Sequence, residues 1–152
     1  MANWCAIDMH IVTASEDDAQ KLFAAFRRQK ELAREEDRMV FVGSKDRYMD
    51  DFCYDICGNE VVVTGDVKWC IDDNEMKEIV AWLQSLVAVV SIECELDESG
   101  CSVFGYYRYK DGKLTYTYIP LGEYPQYEED DDSWYDKLLH TLEVAGVTEE
   151  VE

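Results

Sequence analysis

Asn3-Trp4-Cys5-Ala6-Ile7-Asp8-Met9-His10-Ile11-Val12-Thr13 decides the fold. Cys5, Ile7, Met9 and Ile11 share one face at the two-residue period of a strand, and Trp4, Asp8 and His10 share the other. One face suits a hydrophobic core. The other carries a carboxylate and an imidazole. A strand this early needs later strands to pair with it, so the search moves outward along the chain.

Ser15 reads as a helix N-cap, with Asp18 three residues on in a capping-box-like position. Ala19, Leu22, Phe23 and Phe26 form the buried stripe of that helix, and the charged run Arg27 to Arg38 extends it into solvent. Met39 to Asp51 carries the weakest pattern, with Met-Val-Phe-Val as a short strand and Gly43 to Arg47 as a loop. Phe52, Tyr54 and Ile56 then alternate with Cys53, Asp55 and Cys57. Gly58-Asn59 makes a hairpin turn. The returning strand, Glu60 to Cys70, sets Val61, Val63, Val67 and Trp69 on one face and Thr64, Asp66, Lys68 and Cys70 on the other, with Gly65 as a candidate bulge.

Asp72 or Asp73 caps a second helix with the stripe Met76, Ile79, Val80, Leu83 and Leu86. Val89 to Leu96 is a strand with Val90, Ile92, Cys94 and Leu96 opposite Ser91, Glu93 and Glu95. Val103 to Lys110 and Lys113 to Ile119 flank Asp111-Gly112 in a tyrosine-rich hairpin. A loop from Gly122 to Asp132 follows, and Ser133 caps a last helix with Asp136 at its third position. Trp134, Leu138, Leu142 and Ala145 give that helix an apolar face, and Gly146 stops it.

Strand, helix, hairpin, helix, strand is the split βαβ order of a ferredoxin-like fold. The expected architecture is α+β: an antiparallel βαββαβ sheet with helices on one face, extended by a β-hairpin and an acidic C-terminal helix. Residues 1–120 make the ferredoxin-like domain with its hairpin, and residues 121–152 the acidic loop and helix packed on the same domain.

The 152 residues suit one domain that buries roughly two-thirds of its unfolded surface. Thirty-four acids against fourteen bases leave a net charge of −20. From Leu121 to Glu152 eleven acids face one base, Lys137, so half of the net charge sits in the last fifth of the chain. That sign argues against direct nucleic-acid binding and fits a basic protein that itself binds nucleic acid. No charged start with an apolar run precedes Asn3, and Leu86 to Val90 is too short to span a bilayer. The expectation is a cytoplasmic protein of a bacterial host whose six cysteines are reduced thiols. Cys53 and Cys57 stand about 13 Å apart along a strand, too far to bridge or share a metal. No CxxC pair occurs, and no metal or cofactor is expected.

The chain also resembles the YubB-type ferredoxin-like proteins of plasmids and bacteriophages. The likeness lies in Asn3-Trp4-Cys5, in Lys68-Trp69, and in Val103-Phe104-Gly105-Tyr106-Tyr107 before the Asp-Gly hairpin. It covers roughly Met1 to Tyr118. The family continues with Ser-Asn where this chain has Ala6-Ile7, and with Ser-Pro-Pro where it has Cys70-Ile71-Asp72. The resemblance implies a ferredoxin-like fold and a mobile-element origin. It implies no catalytic residues.

In ferredoxin order (fourth, first, third, second strand) the helix-free face collects Ser91, Glu93 and Glu95; Trp4, Asp8 and His10; Thr64, Asp66 and Lys68; and Cys53, Asp55 and Cys57. Asp8, Asp55, Asp66, Glu93 and Glu95 are five carboxylates beside His10. Such a face suits a divalent-metal nuclease, against which the net charge would repel the substrate. Cys70 with His10 is a conceivable nucleophile and base, whereas Cys5 points away. Tyr107, Tyr109, Tyr116 and Tyr118 read as cross-strand pairs rather than base-stacking platforms. The loop Tyr124, Tyr127, Glu128, Glu129, Asp130, Asp131 and Asp132, with Asp136, has the composition of a protein-contact segment. The expected function is a non-enzymatic nucleic-acid mimic that inhibits a nucleic-acid-binding host or defence protein, as an anti-CRISPR protein does. The alternatives are an enzyme acting from the open face and a structural or assembly protein.

Overall fold

The computed structural model describes residues 4–35, 49–98, 102–127 and 132–152. Within them run β1 (Trp4–Thr13), α1 (Glu16–Glu35), β2 (Met49–Cys57), β3 (Glu60–Lys68), α2 (Asp73–Leu86), β4 (Val89–Glu98), β5 (Val103–Lys110), β6 (Lys113–Tyr118), α3 (Trp134–Ala145) and β7 (Val147–Glu150). The strands form one antiparallel seven-stranded sheet in the order β2-β3-β1-β4-β5-β6-β7. The architecture is α+β, and the sheet is larger than a βαββαβ unit. The short strand read in Met39 to Val42 and the helical continuation from Glu36 to Arg38 lie outside the described residues.

The alternation in β1 sets the layers. Cys5, Ile7, Met9 and Ile11 are buried and pack with Val61, Val63 and Val67 of β3 and Ile92, Cys94 and Leu96 of β4. Ala19, Leu22 and Phe26 of α1 and Met76, Ile79, Val80 and Leu83 of α2 close this core from one side. The Ser15 hydroxyl accepts from the Asp18 amide at 3.1 Å, and the Asp72 carboxylate from the Glu75 amide at 2.8 Å. Both caps satisfy amides that lack a partner within the helix.

The opposite face of the sheet is not free of helices. Leu138 and Leu142 of α3 pack on Phe104 and Ile119, with Tyr106, Tyr124 and Trp134 around them. Phe104 belongs to this second core while Tyr107, an odd number of residues away, belongs to the first, so α3 covers the face that α1 and α2 leave open. It packs on Phe104 of β5 and on Ile119 just after β6, and among the described residues no helix packs on the β3-β1 part of that face. The chain then returns to the sheet. Gly146 ends α3 with its amide on Leu142 O at 3.0 Å, and β7 pairs Val147 with Tyr118 through Glu150 with Thr115. The sequence reading did not contain β7. Ser133 precedes α3 as expected, but its side chain makes no capping hydrogen bond.

Four local expectations change. β3 ends at Lys68, because Trp69 and Cys70 adopt left-handed backbone angles, φ 65° and 55°. The alternation breaks there, so Trp69 is 62% exposed and Cys70 turns back into the core. Cys70 is then bonded to Cys5, with Cα atoms 5.0 Å apart, so these two are not the free thiols the sequence suggested. The irregularity expected at Gly65 lies across from it: Asp50 pairs with Asp66 and Cys53 with Thr64, so the extra residue is on β2. Val90 and Leu86, read as core, are 47% and 41% exposed.

Candidate functional site

The uncovered part of the second face is concave. A cavity of about 590 Å³ is lined by Asp8, His10 and Val12 of β1, Glu60 of β3, Ser91, Glu93 and Glu95 of β4, and Tyr106 and Arg108 of β5. Cross-strand register builds it. Asp8 lies opposite Glu95, His10 opposite Glu93, Glu95 opposite Tyr106 and Glu93 opposite Arg108. Directly opposed side chains on one face stand close enough to interact, so four strands deliver their polar groups to one place.

His10 is the hub. Its Nδ1 lies 2.8 Å from Glu60 Oε1 and its Nε2 3.0 Å from Asp8 Oδ1. The Glu60 contact is a hydrogen bond and the Asp8 contact an ion-pair distance, and a doubly protonated imidazole serves both carboxylates, which a neutral one cannot do. Partial burial lowers the pKa of His10, but the hydrogen bond to Glu60 and the charge of Asp8 outweigh it, and the net direction is upward. At the rim, Arg108 Nε donates to Glu93 at 2.9 Å. From α3, the Tyr135 hydroxyl donates to Glu95 at 2.8 Å.

Glu95 is held above the usual carboxylate range. Burial is the main cause, reinforced by the charges of Asp8 and Asp97 and opposed by the Tyr135 hydrogen bond. Burial, together with the Glu95 hydrogen bond, pushes Tyr135 up to about 12, so it stays a phenol and a donor. Cys94, behind the same strand in the first core, is driven far upward by burial and by Asp8 and Glu95. A thiol buried and held neutral in this way is a poor nucleophile.

Of the open-face residues singled out from sequence, Asp8, His10, Glu93 and Glu95 come together in the cavity. Asp55 and Asp66 do not line it. Asp55 is exposed on β2 and accepts from the Ile56 amide, and Asp66 sits at the Ala6 register position toward the far end of β1. Glu60, Tyr106, Arg108 and Tyr135 were missed. Glu60 was legible, since it shares the parity of Thr64 and Asp66, and Arg108 shares that of Phe104 and Tyr106. Tyr135 was not, because nothing local tells which face α3 covers. The proposed Cys70 and His10 pair is absent: Cys70 is in a disulfide and packs in the first core.

The C-terminal residues divide. Tyr124 is half-buried and packs against the second core beneath α3. Tyr127 is exposed and meets Trp134 edge-on, with centroids 5.3 Å apart. Asp132 and Asp136 are exposed around the first turn of α3. Glu128, Glu129, Asp130 and Asp131 lie outside the described residues. Of the hairpin tyrosines, only Tyr107 and Tyr116 pair with each other across strands, with centroids 4.4 Å apart; Tyr116 stacks on Tyr118 within β6 at 5.2 Å, and Tyr109 stands opposite Leu114.

Among the described residues, the one group of three histidine, cysteine or carboxylate donors within 4.8 Å of one another is Cys5, Cys70 and Glu98. The cavity carboxylates do not converge in that way. No helix among the described residues is long and apolar enough to cross a membrane. Comparison with family models, curated proteins and solved structures finds no match.

Proposed function

We propose that this chain is a non-enzymatic acidic interaction protein whose partner is a basic, nucleic-acid-binding protein. One observation carries the reading. The sheet register gathers Asp8, Glu60, Glu93 and Glu95 around a concavity large enough for lysine or arginine side chains. Arg108 already occupies its rim in the way a partner's guanidinium would enter. Tyr135 joins this concavity to the first turn of α3, where Asp132 and Asp136 are exposed and add to the negative charge beside it. Electrostatic complementarity of this kind favours fast capture of a basic surface and rejection of acidic ones.

Within that reading the core elements are ferredoxin-like, the relationship is to the YubB-type proteins of plasmids and bacteriophages, and the working compartment is the bacterial cytoplasm. The protein acts as a nucleic-acid mimic and inhibits a host or defence protein. The test is a pull-down from bacterial lysate at moderate salt, followed by challenge with DNA or RNA. Release of a basic protein by nucleic acid supports the reading. Retention of a partner that nucleic acid does not displace contradicts it.

A second reading, an enzyme working from this face, is favoured by His10 between two carboxylates, an arrangement that suits proton transfer. It predicts nucleic-acid cleavage with magnesium or manganese that Asp8→Asn abolishes. Absence of turnover on single- and double-stranded DNA and RNA would sink it.

A further inference from the structure

Cys5, Cys70 and Glu98 form a separate cluster on the core side of the sheet, at the end of β1 away from His10. Cys5 is fully buried in the central strand, Cys70 is held by the left-handed corner after β3, and Glu98 ends β4. The Cys70 sulfur lies 3.3 Å from Glu98 Oε2. All three donor atoms fall within 4.8 Å of one another. Glu98 is half-buried at the end of β4, outside the first core, and a disulfide needs no carboxylate against its sulfur. Two thiolates and a carboxylate delivered by three different elements are, however, a donor set for a tetrahedral metal ion.

We propose that Cys5, Cys70 and Glu98 are a redox-gated zinc site. In the oxidised state the two sulfurs bond to each other and no zinc is held. A cellular dithiol breaks that bond: two electrons and two protons pass to the cysteines, and the dithiol leaves as its own disulfide. The reduced thiols then lose their protons to solvent and bind Zn²⁺ together with the Glu98 carboxylate, with water in the fourth position. Zinc is the ion of choice because thiolates select it over magnesium or calcium. The cysteine Cα separation of 5.0 Å allows the sulfurs to part by side-chain rotation. Reoxidation by exchange with a small-molecule disulfide, which takes up the two electrons and leaves as two thiols, re-forms the Cys5–Cys70 bond and expels Zn²⁺. In a reducing compartment the dithiol is the resident state, so the metal form is the one expected there.

The test uses the full-length chain with cobalt as a spectroscopic stand-in for zinc. After reduction with a phosphine, which does not compete for the metal, cobalt is added under argon. One equivalent should bind and give a thiolate-to-cobalt absorption band that one equivalent of zinc bleaches, while oxidised protein gives no band. Glu98→Gln keeps both cysteines and should weaken binding by at least about tenfold. Cys70→Ser should abolish the band, whereas Cys53→Ser/Cys57→Ser should leave it intact. The proposal is overturned if reduced wild-type protein gives no band, if Glu98→Gln binds as tightly as wild type, or if the band follows Cys53 and Cys57. It is also overturned if reduction abolishes cooperative melting and zinc does not restore it.

Discussion

The Tyr135 hydroxyl of α3 lies 2.8 and 3.0 Å from the two carboxylate oxygens of Glu95 on β4, at the edge of the acidic concavity. Tyr135 also meets Phe104 edge-on, with centroids 6.0 Å apart. One residue therefore ties the second core to the candidate site. Tyr135→Phe keeps the ring contact and removes the hydrogen bond. It should lower stability by about 1 kcal/mol, read as a shift in the urea midpoint. It should also raise the pKa of Glu95 further, because that bond, with the charge of His10, draws it down. An unchanged Glu95 titration by NMR would show that the two do not interact in solution.

His10 makes stability depend on pH in a defined direction. Its folded pKa is raised, so folding favours the imidazolium. That contribution is complete below about pH 6.5 and is lost as pH rises through the folded value. Glu95, also raised by burial, acts in the same sense but at lower pH: its contribution is complete below the ordinary carboxylate range and is lost as pH rises through its folded value. Thermal melts should show the protein less stable at about pH 8 than at about pH 6. His10→Gln should flatten that difference, and an identical profile in the variant would contradict it.

Met9 is almost fully buried in the central strand between Val63 and Cys94. Met9→Asp places a carboxylate in the first core and should cost more than about 4 kcal/mol, enough to abolish cooperative melting. Asp8→Asn, one residue away on the other face, should melt close to wild type. Similar melting of both variants would show that the strand's faces are misassigned.

Much of this was legible in the sequence, and the failures have physical causes. Period-two patterning located the faces of β1 and β2 and most of β3 and β4, because a strand buried on one side must alternate. The reading failed at Trp69 and Cys70, where two consecutive non-glycine residues take left-handed angles and reverse the parity. Residues of this kind avoid that region, so no local signal marks it. The Cys5 to Cys70 bond spans 65 residues and follows from that reversal. At the site, Asp8, His10, Glu93 and Glu95 followed from strand order alone. Tyr135 depended on which side of the sheet α3 chose, a choice made by Phe104 and Ile119 through tertiary packing.

The acidic run before α3 gives a further test. Replacing Glu128, Glu129, Asp130, Asp131 and Asp132 with Asn or Gln should weaken partner binding by several kcal/mol while leaving the melting temperature unchanged or raised, since like charges are removed. Unchanged affinity would assign these acids to solubility and leave the concavity as the contact.

The most direct test of the central claim is the affinity for the captured partner as a function of salt, measured with and without competing DNA. A contact made by carboxylates on a basic nucleic-acid site should weaken by roughly tenfold or more between about 50 and 300 mM salt, and DNA should displace it competitively. Affinity that is indifferent to salt, or a partner that binds DNA and this protein together, would contradict the account.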